Sequence, residues 1–237
     1  MRTPSVSYSE PSASRLSRSK LRGLKLFLFK LAGLAVVAAC LRLAFRSTFS
    51  PFCDIALMWV LVALVPLLAW AARGLLNRRP TADRATLLTI PIHYLEMILL
   101  GSAGIIAFRA TQVHPIARVP FPQSISWPLM QIFGVVATLT VLNLAISGLG
   151  LPFAAVLSKK LATSWLYRRS RNPMGLFTLL FCIAAALWMQ SLHAILWTVL
   201  WLAPAWILYV RIYEERELEV RFGESYLQYK SRTPFFL

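Results

Sequence analysis

Cysteine and histidine are nearly missing from this chain and acids are few: three Cys, three His and nine Asp plus Glu stand beside 25 Lys plus Arg in 237 residues. Cys40, Cys53 and Cys182 lie apart in apolar surroundings, with no Cys-x-x-Cys spacing, which leaves them as small packing residues rather than a disulfide or zinc framework. No cluster of ligating side chains at metal spacing and no nucleophile with its base is present either, so the sequence signals neither a metal site nor covalent catalysis. Only 14% of residues are charged while 58% are hydrophobic, too apolar a balance for a soluble domain.

What is abundant is long uncharged runs. Spans near 26–46, 53–75, 86–108, 127–157, 174–190 and 193–212 predict an all-α polytopic membrane helix bundle of about six transmembrane helices. A formal charge of +16 invites a nucleic-acid reading, but the basic residues fall in alternate connections: the N-terminal tail, 73–84, 159–171 and 211–232. That is the positive-inside pattern. It excludes nucleic acid as a partner, puts both termini on the cytoplasmic side of a multi-pass protein and favours contact with anionic headgroups. Val37-Ala38-Ala39-Cys40 resembles a bacterial lipoprotein cleavage box, yet Leu41-Arg42 and the apolar run beyond it favour an uncleaved first helix.

Three regions follow: a disordered basic tail at 1–23, a transmembrane module of about three helices at 24–125, and a functional membrane domain at 126–237. In the third span His93 and Glu96 are three apart and share a face, where an ionisable side chain is a functional candidate because lipid exposure is costly. A hydrogen-bonded structural pair, a role in substrate or proton handling and a metal site all fit two such residues. Asp54, at the start of the second span, reads as an interfacial residue. The prolines at 115, 120 and 122 prevent a continuous helix across 109–125, and Gly148-Leu-Gly-Leu-Pro152 ends the fourth span.

The stretch from Tyr167 to Pro234 organises the rest. A basic turn, Tyr167-Arg168-Arg169-Ser170-Arg171-Asn172-Pro173-Met174, is followed by about forty mostly apolar residues, roughly 60 Å as one helix at about 1.5 Å per residue and twice a hydrocarbon core of about 30 Å. The chain must double back. Gln190-Ser191-Leu192-His193 is the expected turn, and a hairpin there returns Glu214 and Glu215 to the face that holds Asn172. Pro173 disfavours helix at Asn172 and fixes a helix start whose free amides can meet polar groups. At about 100° per residue Arg211, Leu218 and Phe222 share a stripe flanked by Glu214 and Glu215, while Arg216, Glu217 and Arg221 point away to solvent.

The order Leu161-Ala-Thr-Ser-Trp-Leu-Tyr-Arg-Arg-Ser-Arg-Asn-Pro-Met174, a helical hairpin, Glu214-Glu215-x-x-Leu218-x-x-x-Phe222-Gly223-x-x-Tyr226-x-x-Tyr229 and Thr233-Pro234 resembles the isoprenylcysteine carboxyl methyltransferase and phospholipid methyltransferase superfamily. The likeness spans roughly 148–235, and Gly148-x-Gly-x-Pro152 is similar to a motif before the cofactor segment in bacterial members. It implies S-adenosylmethionine as cofactor in a cytosolic pocket, held by Lys159, Lys160, Leu161 and Ala162, by Tyr167, by Asn172, Pro173, Met174 and Gly175, and by Glu214. It also implies an acceptor contact from an Arg just upstream of that Glu, for which Arg211 stands one residue closer than in the eukaryotic enzymes. The superfamily pattern Arg-His/Asn-Pro-x-Tyr-x-Gly reads Arg171-Asn-Pro-Met-Gly175-Leu-Phe177 here, without the Tyr and the second Gly.

Methyl transfer from a sulfonium asks mainly for alignment and exclusion of water, in keeping with a chain that lacks metal and nucleophile motifs. The expected function is an S-adenosylmethionine-dependent membrane methyltransferase with Arg211 and Glu215 as catalytic candidates. Its acceptor partner is a membrane lipid or lipidated molecule: Arg211 suits a prenylcysteine carboxylate, Glu215 an amino-lipid, and a small thiol or other apolar compound stays open. A bacterial inner membrane and the endoplasmic reticulum are both compatible. The alternatives are a scaffold or sensor that keeps the fold without catalysis, and a nicotinamide-dependent reductase on a related architecture.

Overall fold

The computed structural model describes residues 13–47, 49–113, 117–148, 158 and 160–236; apart from one isolated bridge, all regular structure among them is helical. The order is α1 (Ala13–Arg46), α2 (Pro51–Asn77), α3 (Ala82–Val113), α4 (Gln123–Ser147), a 3-10 turn (Trp165–Arg168), α5 (Pro173–Trp188), α6 (Leu192–Phe222) and α7 (Glu224–Arg232). Five helices are long and apolar enough to cross a membrane, and α5, at 16 residues, is a shorter apolar one. At about 1.5 Å per residue α5 covers roughly 24 Å, so the expected six spans resolve into five full ones and one short one.

One boundary differs from expectation and one agrees with it. Helix α1 reaches back to Ala13, so 13–23 is helical rather than disordered, while residues 1–12 lie outside the described residues. Helix α4 stops at Ser147 with Gly148 as its C-cap, at the glycine-rich exit expected to end the fourth span; residues 149–157 lie outside the described residues.

Helix α2 packs against both α3 and α6, and its buried Val62, Val65, Ala69, Ala72 and Leu76 run through the two main core clusters. Small residues let these helices approach closely, which is how helices associate where the surroundings are as apolar as the core. Helix α4 packs chiefly on α5. Away from the Arg-Asn-Pro corner, Asp54 is buried, and Arg109 donates through Nε to its Oδ2 at 3.0 Å and also to the Ala44 and Ser47 carbonyls. Asp54, in the first turn of α2, is thus the buried counter-ion that ties α1, α2 and α3 together.

The hairpin turns where expected. Helix α5 ends at Trp188, Gln190 takes a positive φ of 53°, and Ser191 caps α6 by accepting from Ala194 N at 3.2 Å. The 117–121 segment fastens this turn: Val119 N donates to Gln190 O at 3.0 Å, Leu192 N to Ala117 O at 3.1 Å and Gln190 Nε2 to Phe121 O at 3.0 Å.

Helix α6 is not uniform. It widens into π turns at Thr198–Leu202 and Val210–Glu214. The first lies just before Pro204, whose ring would crowd the carbonyl four residues earlier in a regular helix. The second has no proline, and each such turn takes up an extra residue and rotates all that follows.

Candidate functional site

The corner between the 3-10 turn and α5 is built by the C-terminal segment. Ser170 is fully buried and its Oγ donates to Phe235 O at 3.1 Å while accepting from Asn172 N at 3.2 Å. Arg171 N donates to Pro234 O at 2.9 Å, and the Arg171 guanidinium donates to Lys230 O and Thr233 O, both at 2.9 Å. The Tyr229 hydroxyl donates to Tyr167 O at 2.6 Å. Residues 229–235 thus form a strap that holds the corner's shape.

The same guanidinium reaches α6. Glu215 is 6% exposed; its Oε1 meets Arg171 Nη2 at 2.8 Å and its Oε2 meets Lys230 Nζ at 2.8 Å. A buried carboxylate is tolerated when both oxygens are paired in this way. Burial lowers the Lys230 ammonium, but the hydrogen bonds to Glu215 and Glu219 hold it above the usual lysine range. Burial first, then the charge near Tyr229 and the Glu214 carboxylate, push the Tyr167 phenol up.

One polar atom at the corner is left over. Asn172 Nδ2 is buried without a hydrogen-bond partner among the described residues, a rare condition for an amide that can donate twice. Pro173 opens α5 beside it, and the next residues, Met174 and Gly175, line the large cavity described below.

The acids on α6 meet α3. His93 Nδ1 lies 3.0 Å from Thr89 O and His93 Nε2 lies 3.2 Å from Glu214 Oε1, so His93 pairs across helices and not with Glu96. A carbonyl can only accept, so the Thr89 contact makes Nδ1 the donor and leaves Nε2 facing Glu214. Glu96 is 6% exposed, and one ligand atom each from His93, Glu96 and Glu214 falls within 4.8 Å of the other two. The direct His93–Glu214 contact joins α3 to α6 at this cluster. Tyr209 stands close beside Glu96, with its hydroxyl buried.

Glu217 is buried too, which overturns its expected solvated position. Its Oε1 accepts from Arg221 Nη1 at 2.7 Å and Thr89 Oγ1 at 3.1 Å, and Arg221 also donates to Ser158 O. Arg216 spans Asn77 Oδ1 at 3.0 Å and Glu219 Oε2 at 3.2 Å. The cause is the π turn at Val210–Glu214, which breaks the uniform wheel between Arg211 and Leu218 and brings Glu215 and Glu217 inward.

Between α3 and α6 on one side and α4 and α5 on the other lies an open cavity of about 830 Å³. It runs from Met174 and Gly175 to Met189 and Ala194, and Glu96 is the only charged residue lining it among the described residues. Trp206 closes the corner end: a Cβ on Gly175 would fall 1.7 Å from Trp206 Cη2, so the indole occupies the space a side chain at 175 would need.

Of the residues singled out in the sequence, Tyr167, Asn172, Pro173, Met174 and Gly175 form this one corner, and Glu214 faces it from α6. Lys160 is exposed with its N donating to Gly148 O at 3.1 Å, Leu161 is half-buried and Ala162 is buried, whereas Lys159 lies outside the described residues. Arg211 and Glu215 do not line the cavity. Arg211 is exposed and stacks over the Phe235 ring, 4.7 Å from its centroid, and Glu215 is consumed by its two cations. Phe177 packs on Phe133 of α4. Sequence reasoning missed the inward turn of Glu217 and the placement of Trp206; an aromatic on α6 carries no signal that it faces a glycine on α5.

The family model described as phospholipid methyltransferase matches residues 124–225, covering α4, the corner, α5, α6 and the start of α7. This bears out the superfamily resemblance read from the sequence. No curated protein and no solved structure matches the chain.

Proposed function

Because residues 124–225 match the phospholipid methyltransferase family, we propose that this membrane methyltransferase uses S-adenosylmethionine and methylates an acceptor that enters its cavity from the bilayer. The observation that carries the reading is the unpartnered Asn172 Nδ2, an unused donor at the corner where the cavity ends. It fits a polar cofactor group, as do the first amides of α5, which have no intrahelical acceptor.

When bound, S-adenosylmethionine supplies a methyl carbon made electrophilic by the attached sulfonium. The chain's own part is to bind and align. Asn172 would donate to the cofactor, Tyr167 and the segment through Lys160, Leu161 and Ala162 would wall its site, and Glu214 would accept from its hydroxyl or amino groups. Met174 and Gly175, shared between the corner and the cavity, set the distance between the two reactants. The apolar walls of α3, α4, α5 and α6 keep water from the acceptor head while its tail lies along them. Basic connections at 73–84, 159–171 and 211–232 favour a cytosolic corner, with both termini on that side of a bacterial inner membrane or the endoplasmic reticulum. The acceptor classes consistent with the family region are amino-lipids and prenylcysteine carboxylates.

The test is calorimetric binding of S-adenosylhomocysteine to purified protein in nanodiscs, followed by transfer of labelled methyl into a total lipid extract and into a prenylcysteine analogue. Binding together with label in one acceptor supports the reading. Absence of binding refutes it and favours the second reading, a scaffold or sensor, which draws support from Gly175 and Phe177 standing where the superfamily has Tyr and Gly.

A further inference from the structure

The cavity is apolar except at one point, and that point lies outside the family-matched region. Glu96, on α3, is the only residue with a formal charge among the described residues lining it. It is 6% exposed, enters no ion pair within 4 Å among the described residues, and has the buried Tyr209 hydroxyl beside it. A buried acid in such surroundings is costly unless a positive charge or a mobile proton stands close by. Inside the protein the His93–Glu214 pair supplies the mobile proton. The cavity itself offers nothing comparable, since its other lining residues are neutral.

Resting on the methyl-transfer reading, we propose that Glu96 receives the proton of the methylated group and filters acceptors by charge, so that the acceptor has an apolar tail and a protic head, an amine or a thiol, and is not a carboxylate. Three observations converge on it. The acid faces the volume an acceptor must occupy. Met174 and Gly175 line that same volume from the cofactor corner. Arg211, the cation that would clamp a carboxylate, is stacked on Phe235 outside the cavity. An anionic head would have to lie against a buried acid with no cation in the lining to offset it, and like-charge juxtaposition of this kind is how a site rejects a ligand.

The step balances. The N–H or S–H bond of the acceptor breaks and its proton passes to a Glu96 oxygen. The freed lone pair bonds to the methyl carbon of the sulfonium donor, whose carbon–sulfur bond breaks with its electron pair left on sulfur. The proton then leaves Glu96 through the His93–Glu214 pair. A carboxylate acceptor has no proton to lose and would need no such residue.

The experiment uses the full chain in nanodiscs with two readouts. The first is calorimetric binding of dodecylamine against laurate, without any methyl donor. Wild type should prefer the amine at least tenfold, Glu96→Asp should keep the preference and Glu96→Gln should abolish it. The second is labelled methyl transfer to amine, thiol and prenylcysteine acceptors. It should reach the protic acceptors alone and fall about a hundredfold or more in Glu96→Gln, the scale of general-base catalysis, with S-adenosylhomocysteine binding unchanged. Equal binding of amine and laurate by wild type, or efficient labelling of the prenylcysteine carboxylate, overturns the proposal, and either can be read even if Glu96→Gln does not fold. Amine preference without S-adenosylhomocysteine binding sinks methyl transfer and keeps the charge filter; the reverse result sinks the filter and keeps methyl transfer.

Discussion

The contact between Gly175 and Trp206 gives the sharpest test of the site's architecture. A Cβ placed on Gly175 meets Trp206 Cη2, Cζ2 and Cζ3 at 1.7, 2.2 and 2.6 Å, where ordinary contact begins at 3.4 Å. The indole is a rigid ring near the middle of a spanning helix, so Gly175→Ala must push it toward the cavity or push α5 away from α6. Overpacking of this kind costs about 1–3 kcal/mol. Trp206→Ala removes a half-buried ring, and should cost less than the about 3–5 kcal/mol of a fully buried one. In the double variant the clash has no partner, so its destabilisation should fall short of the sum of the singles by about 1 kcal/mol or more. The assay is unfolding in mixed micelles by titration with sodium dodecyl sulfate, with S-adenosylhomocysteine affinity measured on the same four proteins. If Gly175→Ala is as stable as wild type, or the two changes simply add, Trp206 does not fill the space beside residue 175.

Asn172→Ala removes a buried side-chain nitrogen that none of the described residues satisfies. Stability should hold or rise while S-adenosylhomocysteine affinity drops about three- to tenfold, the value of one hydrogen bond of about 0.5–1.5 kcal/mol; a stability loss with unchanged affinity would assign the amide a structural partner. Arg171→Ala strands one oxygen of Glu215 and frees the carbonyls of Lys230 and Thr233, so it should cost about 3–5 kcal/mol in the same micelle titration. A neutral outcome would mean that the strap is held by Tyr229 and Ser170 alone. The Lys230 ammonium is held above its ordinary range in the folded protein, so its contribution is complete below the unfolded lysine value and fades as pH climbs through the folded one. The difference in thermal stability between wild type and Lys230→Met should therefore stay constant from neutral pH into the usual lysine range and close above it; a gap that closed on acidification would refute the assignment.

The hairpin, its turn at 190–193 and the meeting of the Arg-Asn-Pro corner with the α6 acids were legible because a bilayer fixes span length and polar residues mark where apolar runs must reverse. The division of labour among those acids was not. A helical wheel assumes one pitch, and the π turn at Val210–Glu214 changes it between Arg211 and Glu217, so the arginine assigned to the acceptor ends outside and an acid assigned to solvent ends inside. His93 and Glu96 were visible as a costly pair on α3, but their partners come from α6, 121 residues after His93 in the case of Glu214. No local spacing encodes which of two neighbouring acids meets a histidine from a distant helix. The partner of Asp54 was hidden for a related reason, since Arg109 sits at the far end of another helix.

The α5–α6 hairpin is pinned twice, by residues 117–121 at its bend and by the terminal strap at its open end. With both ends held, a long-tailed acceptor of the proposed kind would enter sideways past α4, which leans chiefly on α5. Turnover should then track how readily neighbouring lipids make way, slowing in stiff, sterol-rich membranes even when the soluble reactant is saturating.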